Sequence, residues 1–289
     1  MQPAVPPRMP SRPNYALPAL SCDTHTHIFG SFDRLSMPHP PAYAPPDAPA
    51  ELYLRMLDTV GTKRGIVVQP TPYGLDNRLL LEGLKLGSGS FRGIAVASPE
   101  VTDRELFGMR DVGVRGLRFS EMNLKGAVGF DGIRALGPRM KDLGWHAQLW
   151  APAERIAGSL SHLVKLGIPL MVEHMGWLDI KRGVGAPEFQ TIREFLAEGK
   201  IWCKLVLCRN STSYPNYPDL RPFHDALVNA NPEQVVWGSD WPFVRMGHNA
   251  PDVATLVDRF YEWVPSEALR QKILVDNPAR FYQFSERNP

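Results

Sequence analysis

Cysteine is scarce, long apolar runs are missing, and neither sign of charge dominates; each shortage removes a class of protein. The three cysteines, Cys22, Cys203 and Cys208, are an odd number in a chain too large to need staples. They are therefore expected as free thiols in a reducing compartment. Cys203 and Cys208 also lack C-x-x-C zinc spacing. No stretch approaches the roughly 18 apolar residues of a membrane span, and no basic segment followed by an apolar run opens the chain. The expected location is cytoplasmic, with no membrane partner. Lys and Arg number 32 against 30 Asp and Glu, a formal net charge of +2, and no Lys/Arg-rich run could track a phosphate backbone. Nucleic acid is not an expected partner.

Proline and apolar residues are plentiful. A 289-residue chain with 44% hydrophobic residues can bury a sizeable core and is not disordered. The 28 prolines are about twice the average share. They gather in residues 1–18, read as a proline-rich leader, poorly ordered or in polyproline II, and in residues 38–49, read as a long loop. A loop of that length in a compact domain is more often functional than idle.

Between these segments, short apolar β-type runs alternate with stretches of helical period. Eight such runs lie at 20–29, 65–70, 92–97, 114–119, 146–151, 169–174, 201–206 and 235–240. Helical segments follow each of them, at 50–61, 75–87, 103–112, 132–144, 153–167, 187–199, 220–231 and 252–264, several ending at a glycine as a helix C-cap prefers. Eight strand–helix units predict a single-domain α/β protein, a (β/α)8 TIM barrel over residues 19–289. A doubly wound sheet is the runner-up, but no G-x-G-x-x-G or P-loop follows the first strand to support a nucleotide-binding version. Residues 266–282 read as a closing helix broken at Asn277–Pro278.

In such a barrel the active site forms at the carboxyl ends of the strands. His25 and His27 lie two apart near the end of the first, so both share a face. His174 ends the sixth and Asp240 the eighth, while Arg118 ends the fourth, Trp150 lies near the end of the fifth, and Thr71 follows the second. Arg209 follows the seventh and is placed to bind an anion. Each has a structural alternative: Asp240 could cap its loop, Arg118 could pair with an acid such as Glu121, and Trp150 could be core. Two imidazoles facing a barrel lumen without partners would be costly, however, and the convergence of three histidines, an aspartate and an arginine favours a site. His39, His146, His162, His224 and His248 are read as structural. Cys203-Lys204 lies mid-strand away from any candidate base, which argues against a cysteine nucleophile.

The set Asp23-Thr24-His25-Thr26-His27, a later strand-end His174, and Gly238-Ser239-Asp240-Trp241-Pro242 resembles the amidohydrolase superfamily of the amidohydrolase-2 type. Val67-Val68-Gln69-Pro70, Val114-Arg115-Gly116-Leu117-Arg118-Phe119 and Gly144-Trp145-His146 resemble the branch containing 2-pyrone-4,6-dicarboxylate lactonase and sugar-acid lactone hydrolases. That resemblance implies a hydrolase in which Asp240 activates water and His25, His27 and His174 surround the scissile carbonyl. It also implies that Arg118, Thr71, Tyr43, Trp150 and Arg209 contact a small anionic lactone. The sequence departs from the branch at 120–125 (Ser-Glu-Met-Asn-Leu-Lys), where a second basic residue is expected soon after the strand-four arginine, and at Trp150, where the branch has tyrosine.

The resemblance implies a strand-four lysine and a second strand-end histidine for a binuclear metal site, and none is expected here, because strand four ends in Arg118 and strand seven offers only Cys203 and Lys204. His25, His27, His174 and Asp240 could still hold one zinc or manganese ion. The lactonase resemblance implies hydrolysis without a required metal, and the arginine beside three histidines would add positive charge, so metal-independent chemistry is the favoured expectation. A mononuclear metal-dependent decarboxylase of the same superfamily and a non-catalytic sugar-acid-binding barrel are the alternatives. A homo-oligomer is compatible with everything above.

Overall fold

The computed structural model describes residues 7–30, 43 and 45–285. Eight strands, β1 (Cys22–Thr26), β2 (Arg64–Val68), β3 (Phe91–Ala95), β4 (Val114–Ser120), β5 (His146–Trp150), β6 (Leu170–Val172), β7 (Trp202–Leu205) and β8 (Val235–Trp237), form one parallel sheet in chain order. The sheet closes on itself where Thr26 bridges to Trp241. There Asp240 N donates to His25 O at 2.8 Å and His27 N to Trp241 O at 2.9 Å. The expected (β/α)8 barrel is the architecture observed.

Eight helices cover the outside: α1 (Ala50–Val60), α2 (Arg78–Leu86), α3 (Asp103–Asp111), α4 (Asp131–Asp142), α5 (Ala153–Leu163), α6 (Pro187–Ala197), α7 (Arg221–Ala230) and α8 (Val253–Trp263). Their limits follow local chemistry. Thr102 and Glu105 form a capping box at the start of α3. Gly61, at φ 85°, ends α1 in the left-handed conformation that glycine adopts without penalty. Each helix lays an apolar stripe on the strands; Leu52, Tyr53, Met56, Leu57 and Val60 are that stripe on α1.

The interior divides into two cores. One fills the space between strands and helices, and a smaller one fills the lower lumen with Cys22, Ile66, Val68, Ile94, Met171 and Val236. The chain's end plugs the lumen from below with Tyr282 and Phe284. The break expected at Asn277–Pro278 is absent. α9 (Glu267–Gln271) runs through a wide π turn at Lys272–Asp276 into α10 (Asn277–Phe281), so the helical path continues through Pro278. Asn277 holds this junction to the barrel, donating to Pro232 O and Val235 O, each at 2.8 Å.

Residues 11–16 lie along α8. Ser11 donates through N and Oγ to Asp252, the N-cap of α8, Asn14 donates to Asp258, and Tyr261 Oη donates to Ala16 O at 2.6 Å. Tyr15 stacks on Tyr261 with ring centroids 4.9 Å apart. Of the loop expected at 38–49, residues 38–42 and 44 lie outside the described residues. No helix among the described residues is long and apolar enough to cross a membrane.

Candidate active site

The pairing of β1 with β2 slips by one residue between Asp23 and Thr26. Strict alternation would turn Asp23, His25 and His27 to one face; the extra residue re-aims the strand. Asp23 accordingly points outward to Tyr53 of α1, while His25 and His27 point into the lumen with their Nε2 atoms 3.4 Å apart. His27 Nδ1 lies 2.8 Å from Val68 O. A carbonyl only accepts, so Nδ1 carries the proton and Nε2 presents a lone pair. Burial lowers both imidazoles, His25 well below its ordinary value and His27 to about 4. Both are neutral near pH 7.

Asp240 stands opposite. Its Oδ1 lies 3.5 Å from His25 Nε2 and 3.8 Å from His27 Nε2, and Arg209 Nε donates to Oδ2. Asp240 adopts φ 68°, a left-handed conformation that aspartate tolerates better than most residues and that clusters at functional sites. Asp23 enforces it from behind, accepting from Ser239 N at 2.8 Å, Ser239 Oγ at 2.6 Å, His25 N at 3.2 Å and Tyr53 Oη at 3.2 Å. One buried carboxylate thus staples the strand bearing the histidines to the loop bearing Asp240. Burial still outweighs these donors and raises Asp23 to about 6. Gly238 lets the two strands meet, since a Cβ there would lie 2.9 Å from His25 Cβ.

At the sixth strand the structure adds a residue that the strand-end pattern did not single out. Glu173 is buried and accepts a fork from Arg118, Nε at 2.9 Å and Nη2 at 2.7 Å, plus Gln148 Nε2 at 2.5 Å. Burial pushes its carboxyl up, but Arg118 and His174 hold it well below the usual range. Glu173 could have been found by counting in twos from Met171, which faces the lumen. The chain turns immediately afterwards, with His174 at φ 49°, so the imidazole also faces inward. His174 Nε2 sits 3.4 Å from Glu173 Oε2, its Nδ1 has no hydrogen-bond partner among the described residues, and its ring lies 4.6 Å from that of His25. Arg118 therefore pairs with Glu173; Glu121 instead accepts from Phe130 N and Arg155. The Arg118 guanidinium stacks 4.1 Å from the Trp150 ring, and its Nη1 remains without a partner among the described residues.

These groups open onto a cavity of about 690 Å³ at the carboxyl ends of the strands. His27, His174, Asp240, Arg118, Thr71 and Trp150 line it, as do Arg209 and Tyr43; His25 lies beneath, out of reach of the opening. Burial raises the Tyr43 phenol well above its ordinary value, keeping it a neutral donor. Two cations that sequence reasoning did not place there also line the cavity: Lys125, in the segment where a second basic residue was expected earlier, and Arg245 in the β8–α8 loop. Both are exposed, and neither has a carboxylate partner among the described residues. Loop residues have no period to betray their direction. Lys204 of β7, expected to lie away from any candidate base, instead sits under His25: closure of the barrel brings its Nζ within 3.4 Å of His25 Nδ1, it donates to Thr24 O at 2.7 Å, and burial lowers it to about 7.

Among the described residues, two groups of side chains set metal-type ligand atoms within 4.8 Å of one another: His25, His27 and Asp240, and separately His25, Glu173 and His174. His174 therefore joins Glu173 and not Asp240. By ligand type either group suits zinc or manganese. By charge neither does, because Arg209 already holds Asp240, Arg118 already holds Glu173, and Lys204 lies against His25.

A closed (β/α)8 barrel with its titratable groups gathered at the strand ends around one cavity is built as an enzyme. The chain belongs to the amidohydrolase family, whose profile matches residues 22–284. A 2-pyrone-4,6-dicarboxylate hydrolase of Comamonas testosteroni is 34% identical over 287 residues, covering 94% of this chain and 93% of the relative. A 4-sulfomuconolactone hydrolase of Hydrogenophaga intermedia is 32% identical over 277 residues, covering 93% and 90%. Among solved structures, a Pseudomonas putida protein provisionally described as a 2-pyrone-4,6-dicarboxylic acid hydrolase matches with a TM-score of 0.83 at 29% identity, covering 93% of this chain and 99% of that one.

Proposed function

We propose that this protein opens a small anionic lactone by adding water to its carbonyl carbon. One observation carries the reading: Asp240 turns a single oxygen, Oδ1, toward the imidazoles, while Arg209 holds the other, in a cavity whose wall also bears Arg118, Lys125 and Arg245. Two of the relatives are named for lactones that carry carboxylate or sulfonate groups, which agrees with that excess of cations.

Asp240 Oδ1 is an acceptor at the wall of the cavity, so a water donating to it would present its oxygen lone pair to the substrate. Asp240 takes one proton as the water oxygen bonds to the carbonyl carbon. The oxyanion that forms needs donors, and neutral His27, with its proton committed to Val68, cannot be one. Arg118 Nη1 is the better placed group, and such a donor is worth up to about 4 kcal/mol. The ring C–O bond then breaks, and Asp240 returns its proton to the leaving oxygen. Arg209 acts mainly to orient Asp240, leaving Lys125 and Arg245 for the substrate's anionic groups. No step requires a metal ion.

The test is turnover of a panel of carboxylated and sulfonated lactones before and after chelation, with metal content measured on the same preparation. Ring-opened acid formed at an unchanged rate supports the reading. Failure to open any lactone, or one bound metal per chain with chelator-sensitive activity, overturns it.

A further inference from the structure

Lys204 has no part in the hydrolysis just described, yet it is a fully buried cation in the lumen immediately beneath the site. Its Nζ donates to Thr24 O at 2.7 Å and stands 3.4 Å from His25 Nδ1. The other side of the same imidazole faces two acceptors: Asp240 Oδ1 at 3.5 Å and His27 Nε2 at 3.4 Å. The second is an acceptor because His27 commits its proton to Val68 O. A bare Nε2 on His25 would set three lone-pair sites against one another in a buried space, so Nε2 carries the proton and Nδ1 accepts from Lys204. As an ammonium, Lys204 has only N–H bonds to give there and no lone pair with which to accept. One polarised chain results, running from Lys204 through His25 and His27 to the Val68 carbonyl.

From this geometry we infer that Lys204 is a positioning residue: it locks His25 as the Nε2–H tautomer and thereby bars the His25–His27–Asp240 cluster from holding a metal ion. A cation there would need lone pairs on both Nε2 atoms. His25 could supply one only by moving its proton to Nδ1, where it would meet the N–H bonds of Lys204. Metal-ligating histidines normally give that second N–H to an acceptor, and this chain puts a donor in the acceptor's place. The inference concerns the same site as the proposed hydrolysis but does not depend on which substrate is used.

Long-range proton–nitrogen spectra of the 15N-histidine-labelled full chain report the tautomer directly, with His25 assigned by the peaks lost in H25Q. The expected result is a protonated Nε2 and an unprotonated Nδ1 on His25 in the unmodified protein. K204M removes the donor at nearly constant volume, and zinc binding to it, followed by equilibrium dialysis, should be at least ~10-fold tighter than to the unmodified chain. A bare Nε2 on His25 in the unmodified protein overturns the inference, as does equal zinc affinity of the two proteins. Should K204M fail to fold, the spectrum of the unmodified chain decides alone.

Discussion

The two ends of this barrel use the same side chains for different work. At the mouth, each buried arginine meets a carboxylate: Arg118 forks onto Glu173 and Arg209 holds Asp240. At the floor, Arg92 and Arg115 donate to backbone carbonyls and have no carboxylate partner among the described residues. There the Phe284 ring packs against two guanidiniums, 4.8 Å from Arg64 Cζ and 4.4 Å from Arg92 Cζ. The histidines divide in the same way. His25 has both nitrogens engaged, whereas His146 packs as an aromatic disc, 4.4 Å from Phe281 and 5.4 Å from Tyr282, with Nε2 unpartnered among the described residues. Gly116 makes room for that disc, since a Cβ would lie 2.7 Å from His146 Cε1. Orientation is what the mouth requires, and filling is what the floor requires.

That contrast can be broken at either end. D240N should lose about 10²- to 10⁴-fold in kcat while keeping its near-ultraviolet circular dichroism; near-normal turnover would remove Asp240 as the base. R118M strips the fork from buried Glu173 and should destabilise the fold by about 3–5 kcal/mol in a denaturant titration. A cost below ~1 kcal/mol would mean that the mouth pairs are as replaceable as surface ones.

Acid should act on the floor through His146, which burial lowers from 6.5 to about 3. The unfolded chain then binds the proton first, so stability is full above pH 6.5 and is lost as pH falls toward 3. The slope is at most about 1.4 kcal/mol per pH unit for each such histidine, and H146F should flatten it in urea titrations between pH 4 and 6.5. F284L should cost only about 1 kcal/mol in thermal unfolding and leave kcat unchanged. A change in kcat would show that the floor is coupled to the mouth.

Much of this was legible in the residues. The eight strands stood out because apolar runs of strand length alternate with helical periods closed by glycines such as Gly61 and Gly167. Sorting polar residues by strand end also gathered His27, His174, Asp240, Arg118, Trp150 and Arg209 around one cavity. Partnership was not legible. Which acid Arg118 meets depends on the stagger of β4, β5 and β6, which puts Arg118 beside Gln148 and both within reach of Glu173. Lys204 lies under His25 because β7 and β1 are brought together across the lumen by closure, a contact spanning 179 residues of sequence. Nor does alternation reveal the slipped register that separates Asp23 from the two histidines.

The clasp of residues 11–16 on α8 has a consequence for how substrate preference could drift. Asp252 receives Ser11 and also caps the first turn of α8 through Ala254 N. It closes the loop that sets Val244, Arg245, Met246 and Asn249 against the cavity. Because prolines enter folding with little backbone freedom left to surrender, such a strap is inexpensive to order. It works as a splint on that wall of the pocket, so a change near the amino terminus, some 240 residues away in sequence from Asp252, would reach the loop at the mouth without touching a single residue that lines it.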